Sequence, residues 1–284
     1  MSKSLIKTPA PFILLYCFLF SIIIFPVFYL NIELSLERLF AYPIYRVRSV
    51  VSRLHLTYPQ VKPAKTYTIV LVGDSMTDVL RLGENNLRSY FKKFYSNKFV
   101  NILNYGFGGT NILSLQDRLE KQTKYLETIY PSILDKKPDI ILIESFGNNP
   151  LSQFPIDLGL KKQEEALDIF MKTVQEGNSG SIIIFMGSIA PNKKKFAEGV
   201  LNLTSIQKEK WVYERDAYIK NHIKYAKKHN IPLINIYEKS FDKNGDGDLK
   251  YISKYDYIHL SSEGIYFTNK EIANYIIGQR FLPL

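Results

Sequence analysis

Five short apolar runs alternate along the chain with longer stretches that carry hydrophobic residues at helical spacing. The runs are rich in Ile, Val and Leu without polar alternation, which is typical of strands buried on both faces of a parallel sheet. They cover residues 67–72, 99–103, 139–143, 181–186 and 232–236. The helical patterns lie near residues 78–95, 111–129, 161–176, 205–229 and 262–278. This alternation predicts one three-layer α/β/α domain over residues 66–284, with a five-stranded parallel sheet.

Ser75 lies where the first predicted strand ends. Ligands of such sheets bind beyond the carboxyl ends of the strands, so the residues that follow each strand are the candidates for chemistry. The first strand runs into Gly73-Asp74-Ser75, and a helix whose N-terminal end favours negative charge begins there. Ser75 is therefore a candidate nucleophile. Ser75 and Asp78 also have the S-x-x-D spacing of a capping box, and in isolation a helix cap is the simpler interpretation.

Glycine and asparagine residues follow the second and third predicted strands. A glycine-rich block at residues 104–111 contains Gly109, and glycine lets backbone N–H groups approach a ligand closely. Asn148 follows the third strand, where its carboxamide can donate a hydrogen bond at the same edge of the sheet. Both segments are also typical of turns. The glycine block lacks the spacing and the lysine of a phosphate-binding loop, and we predict no cofactor.

Asp256 and His259 follow the fifth strand and precede the last predicted helix. Their spacing lets the carboxylate bind one imidazole nitrogen and leaves the other nitrogen to accept a proton from a serine. The alternative is that His259 only fills the start of the helix, with Ser261 or Ser262 as the helix cap. The other histidines are predicted to lie in the N-terminal segment or on a solvated helix face: His55, His222 and His229.

Together these segments resemble the four sequence blocks of the SGNH, or GDSL-type, hydrolases, over residues 67 to about 275. The blocks are Gly-Asp-Ser with Ser75, a glycine block with Gly109, a G-N-D-like block with Asn148, and D-x-x-H with Asp256 and His259. The resemblance implies a flavodoxin-like sheet and hydrolysis of carboxylic esters. It implies that Ser75 is the nucleophile, that His259 is the base oriented by Asp256, and that the oxyanion hole combines the N–H groups of Ser75 and Gly109 with the Asn148 side chain. No G-x-S-x-G motif is present, which excludes the nucleophile elbow of the α/β-hydrolases.

The chain departs from the family pattern at Asn149, which stands where the family usually has Asp.

From the four blocks, the sequence predicts a serine hydrolase that acts on O-acyl esters of a glycan or lipid, including O-acetyl groups. Two alternatives stay open. If a sugar hydroxyl replaced water, the same residues would serve an O-acyltransferase on envelope glycans. A non-catalytic envelope protein could instead keep this fold to bind a glycan.

An uncharged, strongly apolar stretch at residues 8–32 precedes the predicted domain. It is long enough to cross a hydrocarbon core of about 30 Å, so residues 1–32 are predicted to be a transmembrane anchor. The alternative is a cleaved signal peptide, but the run is long for one and no small-x-small cleavage site follows it. Residues 33–65 are predicted to form a juxtamembrane stalk and linker. Lys3 and Lys7 favour a cytoplasmic N-terminus, which places the large domain outside the cytoplasm in a single-pass topology.

The distribution of charge and the single cysteine exclude nucleic-acid binding and cysteine-based chemistry in the predicted domain. The formal net charge is +10, but residues 1–65 hold eight basic and two acidic residues and so account for +6 of it. A nucleic-acid-binding protein concentrates positive charge on its folded domain, and nucleic acid is therefore not an expected partner. The only cysteine, Cys17, lies in the apolar stretch, which excludes disulfides and a cysteine nucleophile in the predicted domain.

One acidic segment resembles the first half of a calcium-binding loop. It has the pattern D-x-N-x-D-G with Asp242, Asn244 and Asp246 at the first, third and fifth positions. Lys250 and Ser253 stand at the ninth and twelfth positions, where the loop needs a ligand and a bidentate Glu. We therefore predict a polar surface turn and no metal, with calcium as the alternative.

Overall fold

The computed structural model describes residues 65–283, in which five parallel strands form one sheet. The sheet strands are β1 (Thr66–Gly73), β2 (Phe99–Gly106), β5 (Ile140–Glu144), β6 (Ile182–Gly187) and β7 (Leu233–Asn235). Their order across the sheet is β2-β1-β5-β6-β7. A separate antiparallel hairpin consists of β3 (Thr123–Tyr125) and β4 (Thr128–Tyr130). Among the sheet strands alone the order is 2-1-3-4-5, which is the flavodoxin-like arrangement. The predicted five-stranded parallel sheet is confirmed.

Helices connect the strands of the sheet. Within residues 65–283 the α-helices are α1 (Ser75–Asp78), α2 (Glu84–Phe94), α3 (Leu115–Glu120), α4 (Ile156–Gly177), α5 (Ser205–Lys228), α6 (Ile236–Lys239) and α7 (Ser262–Gly278). Short 3₁₀ turns cover Val79–Gly83, Ile112–Ser114, Leu134–Lys136 and Leu249–Tyr251.

Alternate side chains of β1 enter two separate hydrophobic cores. Ile69 and Leu71 pack in the core to which α2 and α7 contribute. Val70 and Val72 pack in the core to which α3, α4 and α5 contribute. All four side chains are buried. The three-layer α/β/α architecture is therefore confirmed, since a strand without a polar face needs cover on both sides.

The register of the sheet brings the ends of three strands together. Gly73 at the end of β1 pairs with Gly106 at the end of β2. Val72 pairs with Ile143, so Glu144 at the end of β5 lies beside Gly73. The segments that follow β1, β2 and β5 consequently leave the sheet at one edge, as expected for the site of chemistry in a parallel sheet.

The predicted helix near residues 111–129 is wrong beyond Glu120. The hairpin β3–β4 follows α3 instead, because the aromatic residues of this segment pack against the glycine block. Phe107 stacks on Tyr125 with ring centroids 4.6 Å apart, and it meets Tyr130 edge-to-face at 4.9 Å. Tertiary packing of this kind overrides a helical hydrophobic pattern.

Two further predicted boundaries are corrected. The helix expected over residues 78–95 is interrupted by the 3₁₀ turn that ends at Gly83, and α2 begins after it. A side chain at Gly83 would collide with Ile265 and Asn269 of α7, so glycine lets these helices approach closely. The last strand ends one residue earlier than predicted, because the Asn235 side chain accepts a hydrogen bond from the Glu238 N–H and caps α6.

The predicted transmembrane anchor and the stalk, residues 1–32 and 33–65, lie outside the described residues except for Lys65. Among the helices of residues 65–283, none combines the length and the apolar character that a membrane span requires.

Candidate active site

Ser75 occupies the first turn of α1, directly after β1. The residue that caps this helix is Asp74, whose Oδ1 accepts a hydrogen bond from the Met76 N–H at 2.8 Å. The capping role considered for Ser75 is therefore wrong, and its hydroxyl is left for another partner. Gly73 makes this turn possible, because a Cβ there would lie 2.8 Å from the Cβ of Glu144.

A continuous line of hydrogen bonds joins Asp256, His259 and Ser75. His259 Nε2 lies 2.9 Å from Ser75 Oγ, and His259 Nδ1 lies 2.7 Å from Asp256 Oδ2. The other oxygen of Asp256 accepts hydrogen bonds from the N–H groups of Ile258 and His259 at 2.9 and 3.0 Å. Partial burial acts to raise the pKa of Asp256, but these hydrogen bonds outweigh it and hold the pKa below its ordinary value. Asp256 is thus a carboxylate that orients the imidazole towards Ser75.

The backbone on either side of His259 consists of a tight turn and the capped start of α7. Tyr257, between Asp256 and Ile258, has a left-handed conformation with φ of 53°, which tightens the turn. The cap of α7 is Ser261, whose hydroxyl accepts a hydrogen bond from the Gly264 N–H at 3.0 Å. Since Ser261 supplies the cap, the His259 ring is not needed at the helix start.

The glycine block passes close to Ser75. A Cβ added at Gly108 would lie 3.6 Å from the Ser75 Cβ. Gly109 has a φ of +73°, in the left-handed region that favours glycine, with open space around it. Its N–H therefore lies in a loop that adjoins Ser75, where the oxyanion role implied by the resemblance stays a prediction.

Asn148 and Asn149 lie in the turn that follows β5. This turn passes through Phe146, which has φ of 54°, and closes with a hydrogen bond from the Asn149 N–H to the Phe146 carbonyl at 3.2 Å. The Asn149 carboxamide donates to Asp74 Oδ2 at 3.0 Å. In the described part of the chain no hydrogen bond engages the Asn148 carboxamide, so it is free to bind a substrate oxygen. The residue that departs from the family pattern thus links this turn to the turn that contains Asp74 and Ser75.

A buried arginine, which sequence reasoning missed, supports the same strand ends. Arg118 of α3 is 1% exposed. It donates to the carbonyls of Gly73 and Tyr105 at 2.6 and 2.9 Å, to Ser114 Oγ at 2.7 Å and to the Thr110 hydroxyl. Burial lowers its pKa to about 10, so it remains a cation at neutral pH. The only sign of this role in the sequence is that an arginine lies within the predicted amphipathic helix.

Two acids are buried near Ser75: Asp74 and Glu144. Glu144 is fully buried, and Ser145 Oγ donates to its Oε1 at 2.6 Å. Burial, reinforced by the neighbouring charge of Asp74, raises the pKa of Glu144 to about 8. Glu144 therefore carries a proton at neutral pH.

Tyr125, in the hairpin β3–β4, forms hydrogen bonds to the glycine block and to Asp78. The Tyr125 oxygen accepts a hydrogen bond from the Gly108 N–H at 2.9 Å and donates to Asp78 Oδ2 at 3.0 Å. Arg81 binds the other oxygen of Asp78 at 2.7 Å and thereby fixes the carboxylate. Tyr125 holds the glycine block through a contact that no sequence motif indicated.

We expect Tyr125→Phe to lower kcat for ester hydrolysis about tenfold, equivalent to about 1.4 kcal/mol, with little change in KM. The Gly108 N–H loses its acceptor, and the glycine block is then free to shift by fractions of an ångström. Steady-state kinetics on a p-nitrophenyl ester measure this effect. Tyr130→Phe, in the same hairpin, is the matched control. Equal rates for the two variants would contradict a positioning role of Tyr125.

The acidic segment at residues 242–246 forms a closed turn. Asp242 Oδ1 accepts hydrogen bonds from the N–H groups of Asn244 and Asp246 at 2.8 and 3.0 Å, and Asp246 Oδ1 accepts from the Lys193 N–H at 2.8 Å. These oxygens, which calcium would need, are bound to backbone N–H groups that hold the loop after β6. Within residues 65–283 no cluster of three or more His, Cys, Asp or Glu side chains could bind a metal.

The prediction that His222 is solvated is wrong. His222 is 0% exposed and stacks on Phe185 with centroids 4.4 Å apart. Burial lowers its pKa to about 3, so the ring is neutral and belongs to the core. His229, by contrast, lies exposed at the end of α5, as predicted.

Comparison with known proteins identifies the family to which the chain belongs. The family model for GDSL-like lipase/acylhydrolase matches residues 69–273. A search of curated protein sequences found no match.

Solved structures share the fold at low sequence identity. A lipase/acylhydrolase from Enterococcus faecalis is 18% identical with a TM-score of 0.53, and the alignment covers 75% of this chain and 96% of that one. A GDSL-like lipase from Parabacteroides merdae is 16% identical with a TM-score of 0.54, covering 79% and 100%. The acetyl xylan esterase AlAXEase is 18% identical with a TM-score of 0.52, covering 72% and 97%. From its match to the family model over most of its length, the chain belongs to the GDSL-like lipase/acylhydrolase family and is a carboxylic ester hydrolase.

Proposed function

We propose that the chain cleaves O-acyl esters through an acyl-enzyme formed on Ser75. The observation that carries this proposal is the unbroken line of hydrogen bonds from Asp256 through His259 to Ser75 Oγ. A serine hydroxyl is a weak nucleophile unless a base accepts its proton, and His259 Nε2 is within reach to do so.

In the first half of the reaction, Ser75 Oγ attacks the ester carbonyl while its proton moves to His259 Nε2. The carbonyl oxygen becomes an oxyanion that the N–H groups of Ser75 and Gly109 and the Asn148 carboxamide bind. The carbon–oxygen bond to the alcohol then breaks, and the leaving oxygen takes the proton from His259. The Asp256 carboxylate stabilises the imidazolium that exists between these two transfers.

In the second half, His259 accepts a proton from water, whose oxygen attacks the acyl-Ser75 carbonyl. The bond to Ser75 Oγ breaks, the serine recovers its proton from His259, and the free acid leaves. A sugar hydroxyl in place of water would make the same residues an O-acyltransferase. Hydrolysis is the reaction that the family match favours.

The proposed substrates are short acyl esters on a glycan or lipid, beginning with O-acetyl groups. Support comes from AlAXEase, an acetyl xylan esterase with the same fold. The uncharged stretch at residues 8–32 supports attachment to a membrane, and Lys3 and Lys7 support an extracytoplasmic position for the domain. An enzyme so placed would meet esters of the cell envelope.

The test uses the full-length protein with p-nitrophenyl acetate, butyrate and octanoate and with an acetylated polysaccharide. We expect turnover, covalent labelling by a fluorophosphonate, and mass-spectrometric detection of the label on the peptide that contains Ser75. A folded protein that neither hydrolyses these esters nor takes the label would contradict the proposal, and a glycan-binding role would then be preferred. Acyl transfer to an added sugar faster than hydrolysis would identify the transferase instead.

A further inference from the structure

Both carboxylate oxygens of the buried Asp74 accept hydrogen bonds from nitrogen donors. The Met76 N–H donates to Oδ1 at 2.8 Å, and the Asn149 carboxamide donates to Oδ2 at 3.0 Å. The Asp74 side chain is 0% exposed. Burial raises the pKa of Asp74, and these hydrogen bonds oppose the rise because they favour the charged form. A donor on each oxygen is the arrangement that favours the ionised form of the acid.

Glu144, the second acid beside it, is bound on one side only, because the Ser145 hydroxyl and the nearby N–H groups of Asp74 and Phe146 favour its charged form but leave one oxygen without a donor. Its Oε1 accepts from Ser145 Oγ, whereas its Oε2 is buried and has no hydrogen-bond partner within residues 65–283. That oxygen is free to carry a proton. Two adjacent buried carboxyls repel each other when both are charged. Donors reach both oxygens of Asp74 and Arg118 acts on it, whereas burial and the charge of Asp74 raise the pKa of Glu144, so the charge is assigned to Asp74 and the proton to Glu144.

The remaining groups whose charge acts on Asp74 belong to basic side chains. They are Arg118 from α3, Arg215 from α5 and His259 from the loop before α7. The arginines therefore balance the one negative charge assigned to Asp74, and a second negative charge beside it would be repelled by the first.

We propose that Asn149 is a positioning residue: its carboxamide donates to the Asp74 carboxylate, as a protonated acid could, and so fixes the turn that carries Asn148. The Asp that the family usually has at this position could make the same hydrogen bond only in its protonated form, since a carboxylate is an acceptor only. An amide donates at every pH. The departure from the family pattern thus removes a titrating group from the site.

The role of Asn148 in this inference rests on the proposed function, but the contact between Asn149 and Asp74 does not. Asn149→Asp should therefore produce a site that depends on pH. Below its pKa the introduced carboxyl is protonated and can donate to Asp74. Above its pKa two carboxylates repel each other, and the turn that carries Asn148 is displaced.

The experiment compares kcat of Asn149→Asp with that of the wild-type protein between pH 6 and pH 9. We expect the ratio of the two rates to fall about tenfold or more as the pH rises. Asn149→Ala removes the donor without adding a charge, so the ratio of its kcat to that of the wild type should be low and should not change with pH. In the exchange variant D74N/N149D the donor and the acceptor change places, and the ratio should again be constant with pH because one carboxylate remains.

Thermal unfolding tests the contact independently of turnover. In the unfolded chain the introduced carboxyl titrates near pH 4, whereas in the folded site its pKa is higher. The Tm of Asn149→Asp should therefore fall further below that of the wild type as pH rises above 4, and the difference should stop growing once pH exceeds the folded-state pKa. D74N/N149D should not show this growing difference.

These measurements separate the inference from the proposed function. An active wild type with a constant rate ratio for Asn149→Asp, together with a Tm difference that does not change with pH, would overturn the inference and leave the esterase proposal intact. A wild type that hydrolyses no ester, together with the expected pH-dependent Tm difference, would overturn the esterase proposal and support the contact between Asn149 and Asp74.

Discussion

Ser75→Ala should lower kcat/KM for p-nitrophenyl acetate by a factor of about 10⁴ or more, because it removes the oxygen that forms the acyl-enzyme. His259→Ala should cause a loss of similar size, since Ser75 Oγ then has no base at 2.9 Å to take its proton. Binding and oxyanion stabilisation should leave a small residual rate in both variants. Steady-state kinetics on the full-length protein measure these losses.

The double variant Ser75→Ala with His259→Ala should be no slower than either single variant, because the two residues act as one unit. Ser262→Ala and His229→Ala are matched controls, since both residues are exposed and lie outside the line of hydrogen bonds. We expect both controls to retain wild-type rates. If Ser75→Ala kept more than about a tenth of the activity, a different nucleophile would be required.

Arg118→Met should destabilise the folded protein by about 3–5 kcal/mol, the usual cost of breaking a buried ionic network. The substitution leaves the carbonyls of Gly73 and Tyr105 without donors in a buried region. It also removes a positive charge that balances Asp74. The free energy of unfolding from denaturant titration measures the effect, and kcat should fall as well because Gly73 precedes the nucleophile.

Arg118→Lys should fall between the wild type and Arg118→Met, since an ammonium keeps the charge but cannot reproduce the planar set of guanidinium donors. The control is Arg280→Met, at an exposed position near the C-terminus, which should change stability by less than about 0.5 kcal/mol. Equal stability of Arg118→Met and Arg280→Met would show that the buried arginine does not hold the strand ends together.

The core of the fold was predictable because buried parallel strands have an unusual composition. The runs around Ile69, Ile141 and Ile184 are apolar on both faces, and short runs of this kind between amphipathic helices are typical of a covered parallel sheet. The hairpin at Tyr125 was not predictable, because its short strands depend on aromatic contacts with residues earlier in the chain. The burial of His222 was missed for the same reason: its helix is charged along much of its length, but its ring faces Phe185.

Part of the candidate site was likewise predictable from the sequence, and part was not. Ser75, Asp256 and His259 stand in motifs, and the order of those motifs at the strand ends indicated that they would meet. The structure places them within hydrogen-bond distance, while the oxyanion roles of Gly109 and Asn148 stay predictions. The side chains whose contacts hold these residues in place do not belong to any motif that could be recognised in the sequence.

The architecture and the residue types available for acyl chemistry follow from the amino-acid sequence, because hydrophobic periodicity and the order of strand-end segments are local properties of the chain. How these residues are held in place depends on tertiary contacts. Arg118, Tyr125 and Glu144 act on the strand ends through contacts between residues that lie far apart in the chain. The effect of Asn149 depends on a buried carboxylate 75 positions earlier, and only folding brings the two together.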